Sequence, residues 1–323
     1  MKILGISLNG DPVSRFPNKY GGAGRSIRLM MDGIKNFYLV AEESCFEGDI
    51  NERCIPITHE QIENIRNNKP ISDIVKDNFD LILVNGDTNS FINTTIKQIC
   101  WCGGFNEKVH PRHEYMICYH IATQCPIFQN DEKQLKVYEF RLGTPLPIFE
   151  KYKKEPFILQ ITNHYHAIQS HMLALVCNKY GIKCIFGGPI DINYQDLFLK
   201  CIDNQNTYYL GMVKENDKIK LLKRATFFAS LYSYPLHAVS LAFKQALSYG
   251  CGILTTPGGQ TELFMRDKNI GFLVKNADDL IRSWIKKGDI NQENCYNAVK
   301  NNFSVDIMIE DLNAIFNCII NEK

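Results

Sequence analysis

The sequence predicts an α/β protein of two successive Rossmann-like units, each built on its own parallel sheet. Three observations carry this. Short apolar runs alternate with segments of helical apolar spacing along most of the chain, the pattern of strands joined by crossover helices. The stretch 207–274 runs strand, short helix, strand, loop, helix, strand and glycine loop in unbroken order. Between the halves, Phe140–Pro156 is charged and proline-containing, the best boundary in the chain. A length of 323 residues suits two domains of ordinary size, placed at 1–150 and 151–323.

In chain order, Lys2–Leu8 reads as the first strand. A polar loop, Asn9–Arg25, ends in YGGAGRS, and a helix follows with Ile27, Met30, Met31 and Ile34 on one face. Phe37–Val40, Leu81–Asn85 and Met116–His120 are further short strands. Phe157–Ile161 opens the second unit, followed by Lys183–Phe186, Thr207–Leu210 and Phe227–Ala229. The last two are runs of β-branched or aromatic residues, as expected of buried parallel strands. Ala238–Tyr249 is apolar at Val239, Ala242, Ala246 and Tyr249, one helix face; Gly250 ends it and Gly252–Thr255 is the next strand. Near the end, 306–319 is apolar at Met308, Ile309, Leu312, Ile315, Phe316 and Ile319, an amphipathic helix.

Composition narrows the function. Hydrophobic residues make up 45% and charged residues 22%, so a packed core is expected. A net charge of +1 argues against a protein built mainly to hold nucleic acid, while leaving room for a local basic cleft. No apolar run reaches the roughly 18 residues of a membrane span. The start, MKILGISLNGDP, is broken by Gly5, Asn9, Gly10 and Asp11 and reads as a strand rather than a signal peptide. The 12 cysteines fall in apolar stretches and read as reduced core residues, so a cytoplasmic protein is expected.

A loop entering a helix N-terminus beside strand ends is where open α/β sheets bind phosphorylated ligands. Here that place is His237–Leu241. The surrounding stretch, with Gly211, Ala225, Leu231–Tyr232, Ala246, Gly250, Thr255, Gly258, Gly259, Glu262 and Gly271 in order, resembles the retaining GT-B glycosyltransferases of the group-one, glycogen-synthase-like family. The resemblance covers nearly the whole chain, strongly after Phe157 and weakly before it. It implies two Rossmann-like domains with parallel sheets facing across a cleft, the first on the acceptor side and the second on the donor side. It also implies a last helix, about 306–319, packing back on the first domain. The activity implied is transfer of a sugar, with retention, from a nucleotide-activated donor to a hydroxyl acceptor, a glycan or small hydroxylated molecule. The donor is a co-substrate (UDP-, GDP-, ADP- or CMP-sugar), with no permanently bound cofactor or metal.

The resemblance also assigns residues. His237 stands where the family has the first Glu of an E-x7-E pattern, Ser240 at its phosphate-approaching glycine, and Gln245 at the second Glu, which bonds the nucleotide ribose. An amide still accepts from one hydroxyl, but without charge. With Leu241 and Glu262 these complete the donor side. His164 and His166 replace the family's Arg and Lys after the first strand of the second domain, where a cationic imidazole would bond phosphate. Lys223 and Arg224 are further candidates for that charge. Gly21, Gly22 and Gly24 form a loop that lets backbone approach a ligand, with Arg25 facing the cleft. His120 is the expected catalytic-side histidine near the sugar, with His237, and Asp87 a second acceptor contact.

Rival readings remain. Arg15, Lys19, Arg25 and Arg28 favour an anionic acceptor, so a modified base in DNA, as in phage glucosyltransferases of this fold, is one alternative. A non-catalytic sugar-binding or partner subunit that lost the two glutamates is another; a nucleotide-sugar epimerase fits the motif order less well. Cys100, Cys102, His110 and His113 are zinc-compatible in type but spaced more tightly than zinc ligands usually are. Their segment reads better as a loop beside the acceptor, with Trp101 and Phe105 free to stack on a ring.

Overall fold

A computed structural model of the chain describes residues 1–8, 22–73, 75, 78–85, 92–102, 112, 114–118, 135–233, 239–266 and 268–322. The chain divides into two compact units, 1–143 with 305–323, and 144–304.

The first unit contains β1 (Ile3–Ser7), α1 (Gly22–Gly33), β2 (Phe37–Glu42), β3 (Cys54–Ile57), α2 (His59–Arg66), β4 (Leu81–Asn85), β5 (Gln98–Cys102), β6 (Tyr115–Cys118) and β7 (Lys136–Glu139). Its seven strands pair in parallel in the order β3-β2-β1-β4-β5-β6-β7, so the order reverses between β1 and β4. The alternation of the strands explains the layers. Leu4, Ile6, Val40, Ile82 and Val84 pack on one face with Ile62 and Ile65 of α2. α2 is held at its start by a capping box: Thr58 accepts from the Gln61 amide and Gln61 accepts from the Thr58 amide.

The second unit contains β8 (Glu155–Ile161), α3 (Ser170–Tyr180), β9 (Cys184–Gly187), α4 (Gln195–Leu199), β10 (Thr207–Tyr209), α5 (Glu215–Arg224), β11 (Ala225–Ser230), α6 (Leu241–Ser248), β12 (Gly252–Thr255), α7 (Gly259–Met265), β13 (Gly271–Leu273), α8 (Ala277–Ile285) and α9 (Gln292–Phe303). The sheet is parallel throughout, in the order β10-β9-β8-β11-β12-β13. Its order reverses between β8 and β11, where Ile158 faces Phe227. Both sheet faces are apolar. Phe157, Leu159, Ile161, Phe228 and Ile253 pack against Leu222 of α5, Phe243 of α6 and Val299 of α9. Ile158, Phe227, Ala229 and Leu254 pack against Leu173 of α3, Phe198 of α4 and Leu280 of α8. Strands covered on both faces read as continuous apolar runs.

The last helix, α10 (Val305–Asn321), returns to the first unit beside α1. Met308, Leu312, Ile315, Phe316 and Ile319 are buried. Polar contacts hold it in mid-helix and at its C-terminal end. Arg141 forks onto Asp311, its Nη2 2.6 Å from Oδ1 and its Nε 2.8 Å from Oδ2. At the C-terminal end the Lys97 ammonium donates to the Ile319 carbonyl at 2.8 Å, and Tyr138 donates to Glu322 at 3.0 Å. A cation at a helix C-terminus satisfies carbonyls that have no intrahelical partner.

Several expectations need correcting. Gly22, Gly24 and Arg25 lie in the opening of α1 rather than in a loop before it. The helix expected over 238–249 begins at Leu241, because Ser240 is extended and its hydroxyl caps the Phe243 amide at 3.2 Å. Arg28 is buried and occupied within the unit, donating to the Asp49 carbonyl at 2.6 Å and pairing with the Asp49 and Asp32 carboxylates. It offers no surface charge to an anionic acceptor. Trp101 is 2% exposed on β5, edge-on to Phe140, so it is not free to stack on a ring. Cys100 is likewise buried there. Among the described residues no helix is long and apolar enough to cross a membrane, and no group of three His, Cys, Asp or Glu is placed to hold a metal ion.

Candidate functional site

The carboxyl ends of β8, β9, β11 and β12 bring together most of the described donor-side residues predicted from sequence. Parallel strands all direct their carboxyl ends the same way, and a reversal of strand order leaves a crevice outside those ends. The loops there are tied to one another. The Ser233 amide donates to the Ala167 carbonyl at 2.8 Å, and the Tyr232 amide to the Thr256 hydroxyl at 3.0 Å. The Thr255 hydroxyl donates to the Ser230 carbonyl at 2.8 Å. Gly188 has a φ of 116°, and a Cβ there would sit 2.0 Å from the Thr162 carbonyl oxygen. Only glycine lets the β8 and β9 loops approach this closely.

His164 binds these loops from within. Its Nε2 lies 3.0 Å from the Gly187 carbonyl, so that nitrogen carries the proton and donates. Nδ1 then accepts from the Ser170 hydroxyl at 2.7 Å. The ring stacks on Phe198 at 4.8 Å and is fully buried. Burial lowers its pKa to about 4, so the imidazole is neutral at ordinary pH. The expectation of a cationic phosphate contact at His164 does not fit this placement. His166, two residues on, is exposed and packs edge-on against Tyr194 at 5.0 Å. It remains presented to solvent at the carboxyl end.

α6 opens at the same end. Ser240 caps it, and the amides of Leu241 and Ala242 have no hydrogen-bond partner among the described residues. Free N–H groups and the helix dipole there favour an anion. One turn in, Gln245 is 7% exposed, and its Nε2 donates to Glu215 Oε1 at 3.1 Å. Glu215 is the first residue of α5 and pairs with Lys218. Burial pushes the Tyr232 phenol up, against hydrogen bonds with Ser230 and Ser240 that pull it down.

α7 carries the glycine pair. Gly258 and Gly259 have φ of 117° and 60°. Glu262 accepts from the Gly258 amide at 2.7 Å, so its carboxylate shapes the glycine turn and keeps one oxygen for other partners.

Two expected cations are elsewhere. Lys223 and Arg224 end α5 immediately before β11, at the amino end of a parallel strand. Arg224 is bidentate to Glu155, the first residue of β8, at 2.6 and 2.9 Å. That is the opposite sheet end from the loops above, so neither supplies charge to them. Glu215 is the residue that sequence reading missed. Its signal was available: it starts the helix that follows β10, on the carboxyl side of the sheet. His120, His237, Gly21, Asp87, Arg15, Lys19, Phe105, His110 and His113 lie outside the described residues. Gly22, Gly24 and Arg25 are in the first unit.

No family model matches the chain, and no curated protein matches it. Solved structures do. AviGT4, a glycosyltransferase of avilamycin A biosynthesis, superposes with a TM-score of 0.75 at 12% identity, over 100% of this chain and 99% of that one. Anabaena HepE in complex with UDP and glucose gives 0.71 at 13% identity, over 98% and 100%. An α-glucosyltransferase in complex with UDP-glucose and abasic-site DNA gives 0.67 at 11% identity, over 98% and 99%. The chain therefore has the two-sheet GT-B fold of these glycosyltransferases along its whole length.

Proposed function

We propose that this chain is a nucleotide-sugar-dependent glycosyltransferase that moves a sugar, with retention, to a hydroxyl acceptor. Two neighbours of the same fold, HepE and the α-glucosyltransferase, carry UDP or UDP-glucose in their structures, which supports a nucleoside diphosphate sugar as donor. The observation that carries the reading is the N-terminus of α6. Its two free amides stand at the carboxyl end of the second sheet, with Ser240 fixing the first turn and Gln245 one turn behind.

In this reading the diphosphate lies over Leu241 and Ala242, and the Gln245 amide contacts the ribose. The exposed His166 and the turn held by Glu262 line the phosphate and sugar. As the C–O bond from anomeric carbon to diphosphate breaks, charge grows on the leaving oxygen, and fixed backbone donors stabilise that charge. The acceptor oxygen bonds to the same face, and its proton passes to the leaving phosphate. His237 and His120 are the side chains proposed to contact the sugar. Gly21, Gly22, Gly24 and Arg25 are further ligand-contact candidates, on the family resemblance alone. The acceptor is a glycan or small hydroxylated molecule. A modified base in DNA is the alternative acceptor; that one neighbour of the same fold is solved with abasic-site DNA supports DNA as a partner.

A second reading rests on a specific observation: the resembled family's two glutamates are His237 and Gln245 here. A binding subunit would hold the nucleotide sugar and never cleave it. Incubation with UDP-, GDP-, ADP- and CMP-sugars, with release of free nucleotide measured, separates the two. Slow donor hydrolysis supports the enzyme; tight binding with no release over days supports the subunit; no binding removes both.

A further inference from the structure

We infer that Glu215 is a positioning residue that fixes the Gln245 amide as a hydrogen-bond acceptor for a ribose hydroxyl; this rests on the donor site proposed above. A neutral amide can rotate to present either its oxygen or its nitrogen, and nothing in its own chemistry selects between them. Glu215 makes the selection. A carboxylate only accepts, so the amide edge that meets Oε1 at 3.1 Å must be Nε2–H. The Gln245 oxygen is thereby turned away, and it has no hydrogen-bond partner among the described residues. The side chain is 7% exposed, so what remains reachable is a small acceptor edge at the carboxyl end of the sheet.

Glu215 is itself held in place. As the first residue of α5 it sits where the helix dipole favours a carboxylate, and Lys218 neutralises it from one turn on. α5 and α6 lie on the same sheet face, with Leu222 and Phe243 in one apolar cluster. The pair therefore joins two helix starts that follow β10 and β11, strands that are not neighbours in the sheet. The negative charge of the site stands on α5, one hydrogen bond behind the amide. A hydroxyl that donates to the Gln245 oxygen polarises the amide, and the charge on Glu215 strengthens that polarisation.

The arrangement has a specific consequence. Gln245→Glu alone sets two carboxylates against each other at hydrogen-bond distance, which is repulsive and removes the amide donor from Glu215 Oε1. The reciprocal exchange, Glu215→Gln with Gln245→Glu, rebuilds one amide–carboxylate bond with the charge moved to α6.

The test is calorimetric titration of UDP and of 2′-deoxy-UDP into the parent, Glu215→Ala, Glu215→Gln, Gln245→Glu and the double exchange, with a thermal melt of each. The parent is expected to prefer UDP. Glu215→Ala should lose about 2- to 10-fold of that preference, the share of one net hydrogen bond. Gln245→Glu should bind UDP more weakly than the parent and melt lower, and the double exchange should restore both to near the parent. A merely structural Glu215 would lower the melt and leave the UDP to 2′-deoxy-UDP ratio unchanged. That result in Glu215→Ala or Glu215→Gln, or a double exchange no better than Gln245→Glu, overturns the inference while leaving the donor site standing. A parent that binds UDP but not more tightly than 2′-deoxy-UDP also overturns it. A parent that binds neither, nor GDP, ADP or CMP, refutes the donor site itself and the inference with it.

Discussion

His164→Gln tests how a histidine that sequence offers to phosphate is used by the fold. Burial holds the imidazole pKa at about 4, against 6.5 for a free one. Above the free value the ring is neutral folded and unfolded alike. As pH falls through 6.5 toward 4, the unfolded chain takes up a proton that the folded protein refuses, so stability falls with pH across that window. At about 1.4 kcal/mol per unit, the shift of roughly 2.5 units corresponds to about 3 kcal/mol, lost in full below the folded value. Glutamine keeps an N–H for the Gly187 carbonyl and does not titrate. Urea unfolding of parent and variant between about pH 7.5 and about pH 4.5 isolates this group from the carboxylates. The parent's lead over the variant should shrink by about 2–3 kcal/mol on acidification. A pH-independent difference would refute the buried neutral ring. A tenfold loss of UDP affinity in a variant that stays folded would return His164 to the phosphate.

Ser240→Ala removes the cap of α6 and should cost about 1 kcal/mol in chemical unfolding, with nucleotide affinity falling alongside as the first turn frays. Gln245→Ala should weaken nucleotide binding by about 0.5–1.5 kcal/mol, read by calorimetry. Lys244, buried against the Phe303 ring, has its pKa lowered by burial to about 7 from 10.5. The unfolded chain then holds the extra proton between those values, so stability should rise with pH from about 7 to about 10.5, and Lys244→Met should flatten that rise in thermal melts. Arg141→Ala breaks the fork to Asp311 and should lower stability by up to about 1 kcal/mol, the range of an exposed pair, without altering nucleotide affinity.

The second sheet was legible because its strands are covered on both faces and read as continuous apolar runs, as Phe157–Ile161 and Phe227–Ala229 do. The start of α6 was misplaced because Val239, just before the cap, is buried in the same cluster as Phe243 and extends the apolar periodicity past the helix. Gly250 marked its end because it takes a φ of 70°, which glycine adopts without strain. Charges were the least legible. His164 and His166 are equivalent in sequence, yet one is buried and the other exposed. Arg28 reads as a surface cation until the Asp49 carbonyl that receives it is known. Lys223 and Arg224 could have been set aside from sequence alone, since a residue immediately before a parallel strand lies at its amino end. The amide–carboxylate pair of Gln245 and Glu215 spans two helices, and no local pattern announces it.

On the proposed function, a nucleoside diphosphate sugar binds at the carboxyl end of the second sheet, over the start of α6. Hydrogen exchange of the protein with and without saturating UDP-glucose locates the ligand directly. Slowed exchange is expected in peptides covering 240–248 and 256–262, reduced when Gln245 is replaced by Ala. Protection confined to the first unit, or none at all with any of the four nucleotide-sugar classes, would contradict it.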